Sequence, residues 1–301
     1  MLVVLFLVCV FASAVPHGTS AVLKLQDYTR ISHDTYFLSR KRHPHDADKF
    51  VHGYAFLNLH TNSRKHLPSA KMIHREKHEH FQRSIISHEA HSLDSAQLSA
   101  SLPSCTGPIS DGTSWKVSRG YNIHTQNRNS LSSAFVINAI QKASDAWRCG
   151  SSDFEKLIDG GLLAVVDGSS GETIDLDQPD GLNEIGFASI QGHPGTVAVT
   201  IVWGIFDGPI SQREIIEFDM IFDGTSYNWG DGSQNPNVMD LQAISTHEMG
   251  HRYGLDDIYS PECQDVTMYG TSAEGETDKR SLHSRDVEGL SFLYGPLAPT
   301  K

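Results

Sequence analysis

A chain of 301 residues with 39% hydrophobic and 20% charged residues has globular composition and can bury one large core or two modest ones. Its formal net charge of −12 argues against a general nucleic-acid binder, which needs basic surface to neutralise phosphates. Four cysteines are too few for a disulfide-dense scaffold.

The apolar run Leu2 to Ala14 is too short for a membrane-spanning helix of about 20 residues. It ends in Ala12-Ser13-Ala14, a small-x-small cleavage pattern, although no Lys or Arg precedes it. Residues 1–14 are therefore expected to be a secretory signal peptide. Its removal would take Cys9 away and leave a soluble, secreted, extracellular chain without membrane contact. Residues 15–104 hold 12 Lys+Arg against 8 Asp+Glu, and residues 105–301 hold 12 against 28. Twelve of the 17 histidines lie before residue 100, whereas glycine becomes frequent only after Gly107. This division predicts a basic, His-rich pro-region over 15–104 that docks on an acidic domain at 105–301. A plain solubilising extension is the alternative. Most of its histidines are expected to be solvated.

Beyond residue 105, Gly120 to His124 reads as a strand. Val136 to Trp147 places apolar residues at helical spacing. Leu162 to Val166 reads as a continuous buried strand, and Thr196 to Trp203 and Glu214 to Phe222 as two more. Asp240 is positioned to cap a helix running to Tyr253, and Asp286 or Ser284 to cap a last helix ending at Tyr294. The predicted fold class is α+β, with one mixed, twisted sheet, an internal helix and a C-terminal helix.

The chemistry concentrates in His247-Glu248-Met249-Gly250-His251. Two histidines four apart share one helix face and can bind one Zn²⁺, while the glutamate between them can take a proton from a metal-bound water. Zinc catalysis needs a third protein ligand and an open position. Gly254 can end the helix and turn the chain, and three residues later stands Asp257, with Asp256 beside it. A random His-Glu-x-x-His arises in roughly 4% of shuffled copies of this composition. Requiring Gly254 and a ligand at 257 lowers this to roughly one in two thousand, so chance is a poor explanation.

HEMGHRYGLDD resembles the extended zinc motif of the metzincin metallopeptidases, close to the matrixin form. Val266-Thr-Met-Tyr-Gly270 resembles their Met-turn, with Met268 as its methionine, and Leu282 to Gly295 resembles the closing matrixin helix. The resemblance spans roughly residues 110–296. It implies a secreted zinc metalloendopeptidase with His247, His251 and Asp257 on one catalytic Zn²⁺ and Glu248 as general base. An aspartate third ligand is similar to that of snapalysin-type enzymes and departs from the usual histidine. The matrixin pro-region motif with its cysteine is absent, which leaves a Cys105 thiolate, or a histidine or carboxylate of the pro-region, as the candidate ligand of the zymogen's zinc. Tyr269 is one place away from the position of the astacin transition-state tyrosine and receives no catalytic role. The alternative function is a catalytically inert metal-binding or adhesion protein of the same shell.

Three further expectations complete the reading. Cys105–Cys149 is one of three pairings among the cysteines left after signal removal. Asp167, Asp175, Asp177 and Asp180 form an acidic loop in which calcium is a candidate, against a solvated loop. The substrate is a protein or peptide, bound by a monomer and extended along a sheet edge, for which TVAVTIVW is the candidate.

Overall fold

The computed structural model describes residues 21–62, 105–108, 112–117, 119–148, 159–168 and 173–295. The expected signal peptide, the 104/105 boundary and Cys149 lie outside the described residues. Twelve strands are described: β1 (Val22–Lys24), β2 (Thr29–Arg30), β3 (Thr35–His43), β4 (Asp46–His60), β5 (Arg119–His124), β6 (Asp159–Val166), β7 (Glu184–Gln191), β8 (Thr196–Ile205), β9 (Glu214–Asp223), β10 (Trp229–Gly230), β11 (Met239–Asp240) and β12 (Thr271–Ser272). The helices are α1 (Ser133–Trp147), α2 (Leu241–Arg252) and α3 (Ser284–Tyr294).

Ten strands form one mixed sheet in the order β2-β3-β4-β8-β9-β7-β5-β6, with β1 added beside β7 and β12 beside β4. β5, β6, β7 and β9 run parallel, and β8 is antiparallel to β9. The crossover from β5 to β6 carries α1, whose buried stripe of Val136, Ile140, Ala143 and Trp147 follows helical spacing. Ser132 caps that helix by accepting the N–H of Phe135. Trp147 then donates its indole N–H to the Thr246 carbonyl at 2.7 Å, which fixes α1 against α2. The helices pack on the sheet face that carries Phe218, Met220 and Phe222. The opposite face, with Val199, Ile201, Trp203 and Ile221, is closed by Leu23, Leu25, Ile174 and Leu176.

The sheet extends far into the basic first part of the chain. β4 pairs antiparallel with β8 from His52↔Gly204 to Leu59↔Thr196, and β12 runs parallel to its far end. Val51, Tyr54, Phe56, Leu57 and Leu59 are each at most 1% exposed. At about 2 kcal/mol per large apolar side chain, their burial is worth of order 10 kcal/mol before the opposing entropy of ordering the strand is subtracted. Residues 22–60 are therefore woven into the core. Of the first part's twelve histidines, seven lie outside the described residues; among the described ones His45 is exposed, His33, His43 and His52 are half-buried and His60 is buried.

Four local expectations also change. Strand Thr196 to Trp203 is no free edge, because β4 and β9 occupy both its sides. β6, expected to be buried, forms the sheet's outer strand with Leu163 and Val165 exposed. The cap of α3 is His283, whose ring accepts the Arg285 N–H while Asp286 reaches back to the His283 N–H. Cys105 is bonded to Cys263 in place of the expected Cys149, a link across 158 residues.

Candidate metal centre

Asp240 starts the helix that carries the centre. Its Oδ1 accepts the Ala243 N–H at 2.8 Å, Gly232 donates to Oδ2, and the Arg280 guanidinium clasps both oxygens. Nearly every residue of α2 is buried, including the charged ones. The helix therefore runs through the core, and its polar side chains must be matched from neighbouring elements.

His247 and His251 share one helix face with ring centroids 5.0 Å apart. Each Nδ1 lies 2.8 Å from a backbone carbonyl, that of Thr267 for His247 and that of Leu255 for His251. A carbonyl only accepts, so each Nδ1 carries the proton and each Nε2 presents a lone pair. Burial, aided by the charge of Lys279, lowers the His247 pKa to about 3 and keeps the ring neutral, the form that ligates a metal. Asp257 Oδ1 lies 3.1 Å from His247 Nε2 and 3.6 Å from His251 Nε2, with all three side chains fully buried. Ligands about 2.0–2.1 Å from a tetrahedral zinc sit about 3.3 Å from one another, so this triangle fits the ion. His247 Nε2 has no hydrogen bond in this buried place, the state of an atom reserved for a cation. Asp256, the other candidate, instead accepts the Asp257 N–H at 2.8 Å.

Glu248 is fully buried beside the triangle. Its Oε2 accepts a 2.5 Å hydrogen bond from the Thr200 hydroxyl on β8, and its Oε1 has no hydrogen-bond partner. Burial pushes its carboxyl well above the usual range, and the charge of Asp257 adds to the rise. Two buried carboxylates and two neutral imidazoles make a site whose chemistry calls for a cation.

Two glycines explain the motif's remaining letters. A Cβ on Gly250 would meet Met268 Sδ at 2.0 Å, so only glycine lets the helix rest on that methionine. Gly254 has φ +95°, and a Cβ there would lie 2.8 Å from the Thr113 carbonyl. Met268 in turn is held by Asp286 of α3, whose oxygens accept the N–H groups of Thr267, Met268 and His283. Asp286 thus aims the Thr267 carbonyl that orients His247. On the other side, Asp256 donates its N–H to the Gly107 carbonyl next to the Cys105–Cys263 bond. Tyr269, given no role from sequence, is used through its carbonyl, which accepts from the buried Lys279 ammonium.

The first part of the chain closes the centre. The Phe56 ring lies flat on His251, 5.0 Å between centroids and 17° between planes. Asp34, fully buried, is hydrogen-bonded to Tyr259. The roles of Thr200, Asp286, Asp34 and Phe56 at the centre escaped the sequence reading. Asp286 was visible as a helix-start residue, while the others carry no local signal.

Among the described residues, His247, His251 and Asp257 are the one group of three or more His, Cys, Asp or Glu donors that converge. The acidic loop uses its carboxylates otherwise. Asp175 accepts the Asp177 N–H, Asp177 the Tyr28 hydroxyl, and Asp180 the Leu182 N–H. Nearby, Glu217 of β9 accepts the N–H groups of Asp180 and Gly181. Burial, with the charges of Asp180 and Glu184, pushes its carboxyl up to about 8 against the pull of those two donors.

Residues 206–295 match the family model Peptidase_M10, the matrixins. The match covers less than a third of the chain and includes β9, α2, the Met268 turn and α3. It supports a matrixin-like metallopeptidase, and that family implies zinc.

Proposed function

We propose that the protein is a secreted, zinc-dependent metalloendopeptidase, monomeric, that hydrolyses peptide bonds of protein substrates and is made as a zymogen. The observation that carries this reading is the buried triangle of His247, His251 and Asp257 with Glu248 at its side. These three residues would hold one Zn²⁺, which supplies a Lewis acid that polarises the scissile carbonyl and acidifies the attacking water. Glu248 accepts the water's proton and passes it to the leaving amine. Its raised affinity for protons suits that shuttle, and the Thr200 hydroxyl holds one of its oxygens in place. Asp257 in place of a neutral third ligand removes one unit of positive charge from the centre.

Residues 21–60 act as the protein's own inhibitor. β4 lies where an extended substrate would pair with β8, so catalysis requires that strand to leave. Its departure frees β8 as the edge on which the substrate's backbone is read.

The test is to nick the purified full chain between residues 63 and 104 with a trace protease. Casein hydrolysis and bound zinc are then measured, with and without a chelator. The expected result is about one zinc per chain and hydrolysis that rises at least roughly tenfold on nicking and stops with chelator. Hydrolysis that ignores the chelator, or a chain without zinc, would overturn the reading. Metal-loaded protein that stays inert after β4 is released would favour a non-catalytic metal-binding protein.

A further inference from the structure

Residues facing each other across an antiparallel pair share a sheet face. On the β4–β8 pair, Phe56 faces Thr200 and Asn58 faces Ala198. This face fronts the metal centre, since Phe56 stacks on His251 and Thr200 bonds Glu248. Asn58, two residues beyond Phe56, therefore projects to the same side.

Asn58 is fully buried, and neither its Oδ1 nor its Nδ2 has a hydrogen-bond partner. A primary amide buried with both ends unmatched is costly, and its retention asks for a partner outside the protein atoms. Two other atoms on this side of α2 share that condition, His247 Nε2 and Glu248 Oε1. One cation relates all of them. A carbonyl oxygen is a ligand for a divalent ion, and an amide N–H is a donor for a carboxylate oxygen.

We propose that Asn58 is the latency ligand of the closed form: its Oδ1 takes the fourth position on the ion held by His247, His251 and Asp257, and its Nδ2 donates to Glu248 Oε1. The inference rests on the metallopeptidase reading above and adds to it the group that keeps water off the ion. The amide offers the centre the same pair of functions as a peptide bond, a carbonyl oxygen and an N–H. The amide would fill the position that the attacking water needs, and because it belongs to a side chain it offers no backbone bond there for cleavage. The bracketing of β4, antiparallel to β8 and parallel to β12, holds Asn58 in that register. Latency in this chain thus needs no cysteine.

The test uses the full chain with Co²⁺ loaded at one equivalent, and reads absorption and the rate of metal loss to a chelator. Asn58→Cys should add a sulfur-to-cobalt charge-transfer band in the near ultraviolet that the unsubstituted chain lacks. Asn58→Ala should shift the visible cobalt bands and release the ion about tenfold faster. A cobalt-loaded Asn58→Cys chain without the band, or an Asn58→Ala chain with unchanged bands and release, would overturn the proposal while leaving the metal centre standing. Should no chain, substituted or not, take up cobalt, the metallopeptidase reading falls and this inference falls with it.

Discussion

The metal centre is held from two sides that are built in opposite ways. On one side, residues 240–286 supply almost all of their own support: Asp240 caps α2, Leu255 and Thr267 orient the histidines, and Asp286 fixes the turn under them. On the other side, β4 forms a hairpin with β3 and is tied to the rest of the sheet by pairing with β8 and β12, some 140 and 210 residues further along the chain. The first side is a device that can be inherited whole, as its match to a family model illustrates. The second lies outside the residues that match, and it packs against the device through Phe56 and β8.

Substituting Glu248 separates the two most sharply. Glu248→Gln keeps the Thr200 contact and all three metal donors, so zinc content and the closure by β4 should be unchanged. Casein hydrolysis by the nicked chain should nonetheless fall by about 10²–10⁴-fold. Persistent turnover by pure mutant would remove Glu248 from its role.

Asp286 gives a smaller, structural cut on the same side. Asp286→Ala frees the N–H groups of Thr267 and Met268 and loosens the carbonyl that aims His247. Zinc affinity, measured by competition with a chromogenic chelator, should drop about 10–100-fold, and Asp286→Asn should recover part of it. Equal loss in both variants would mean that Asp286 serves only the fold. The β4 side should be unaffected, which can be read from unchanged protection of its amides in hydrogen exchange.

The smallest expected effect lies in the sheet beneath both sides. The Glu217 carboxyl is raised in the folded chain from 4.5 to about 8, so the folded state binds the extra proton between those values. Its contribution is fully present below about pH 4.5 and is lost as pH rises toward about 8. Thermal midpoints should therefore decline over that window, and Glu217→Gln should flatten the decline. A steeper decline in the mutant would contradict the assignment.

What could be read from the sequence follows the same division. The helix of the centre, its Asp240 cap, the Gly254 turn and the approach of Asp257 were legible because they depend on residues a few places apart. The core strands of the second part were legible from their valine and isoleucine runs. β4 was hidden because its place beside β8 depends on long-range pairing that its local hairpin with β3 does not reveal, and a net charge of +4 pointed to a separate segment. Cys105 was joined to the wrong partner for a related reason: only the approach of residues 105–108 to the Asp256 loop makes Cys263 its neighbour.

The Cys105–Cys263 bond has a consequence for maturation. The ring it closes encloses both α1 and α2, and one of its ends lies in the loop that follows Asp257. Wherever the chain were severed upstream of Cys105, the downstream piece would stay moored to that loop at Cys105. A thiol reductant would slip the mooring, giving the surrounding redox state a grip on the geometry around Asp257.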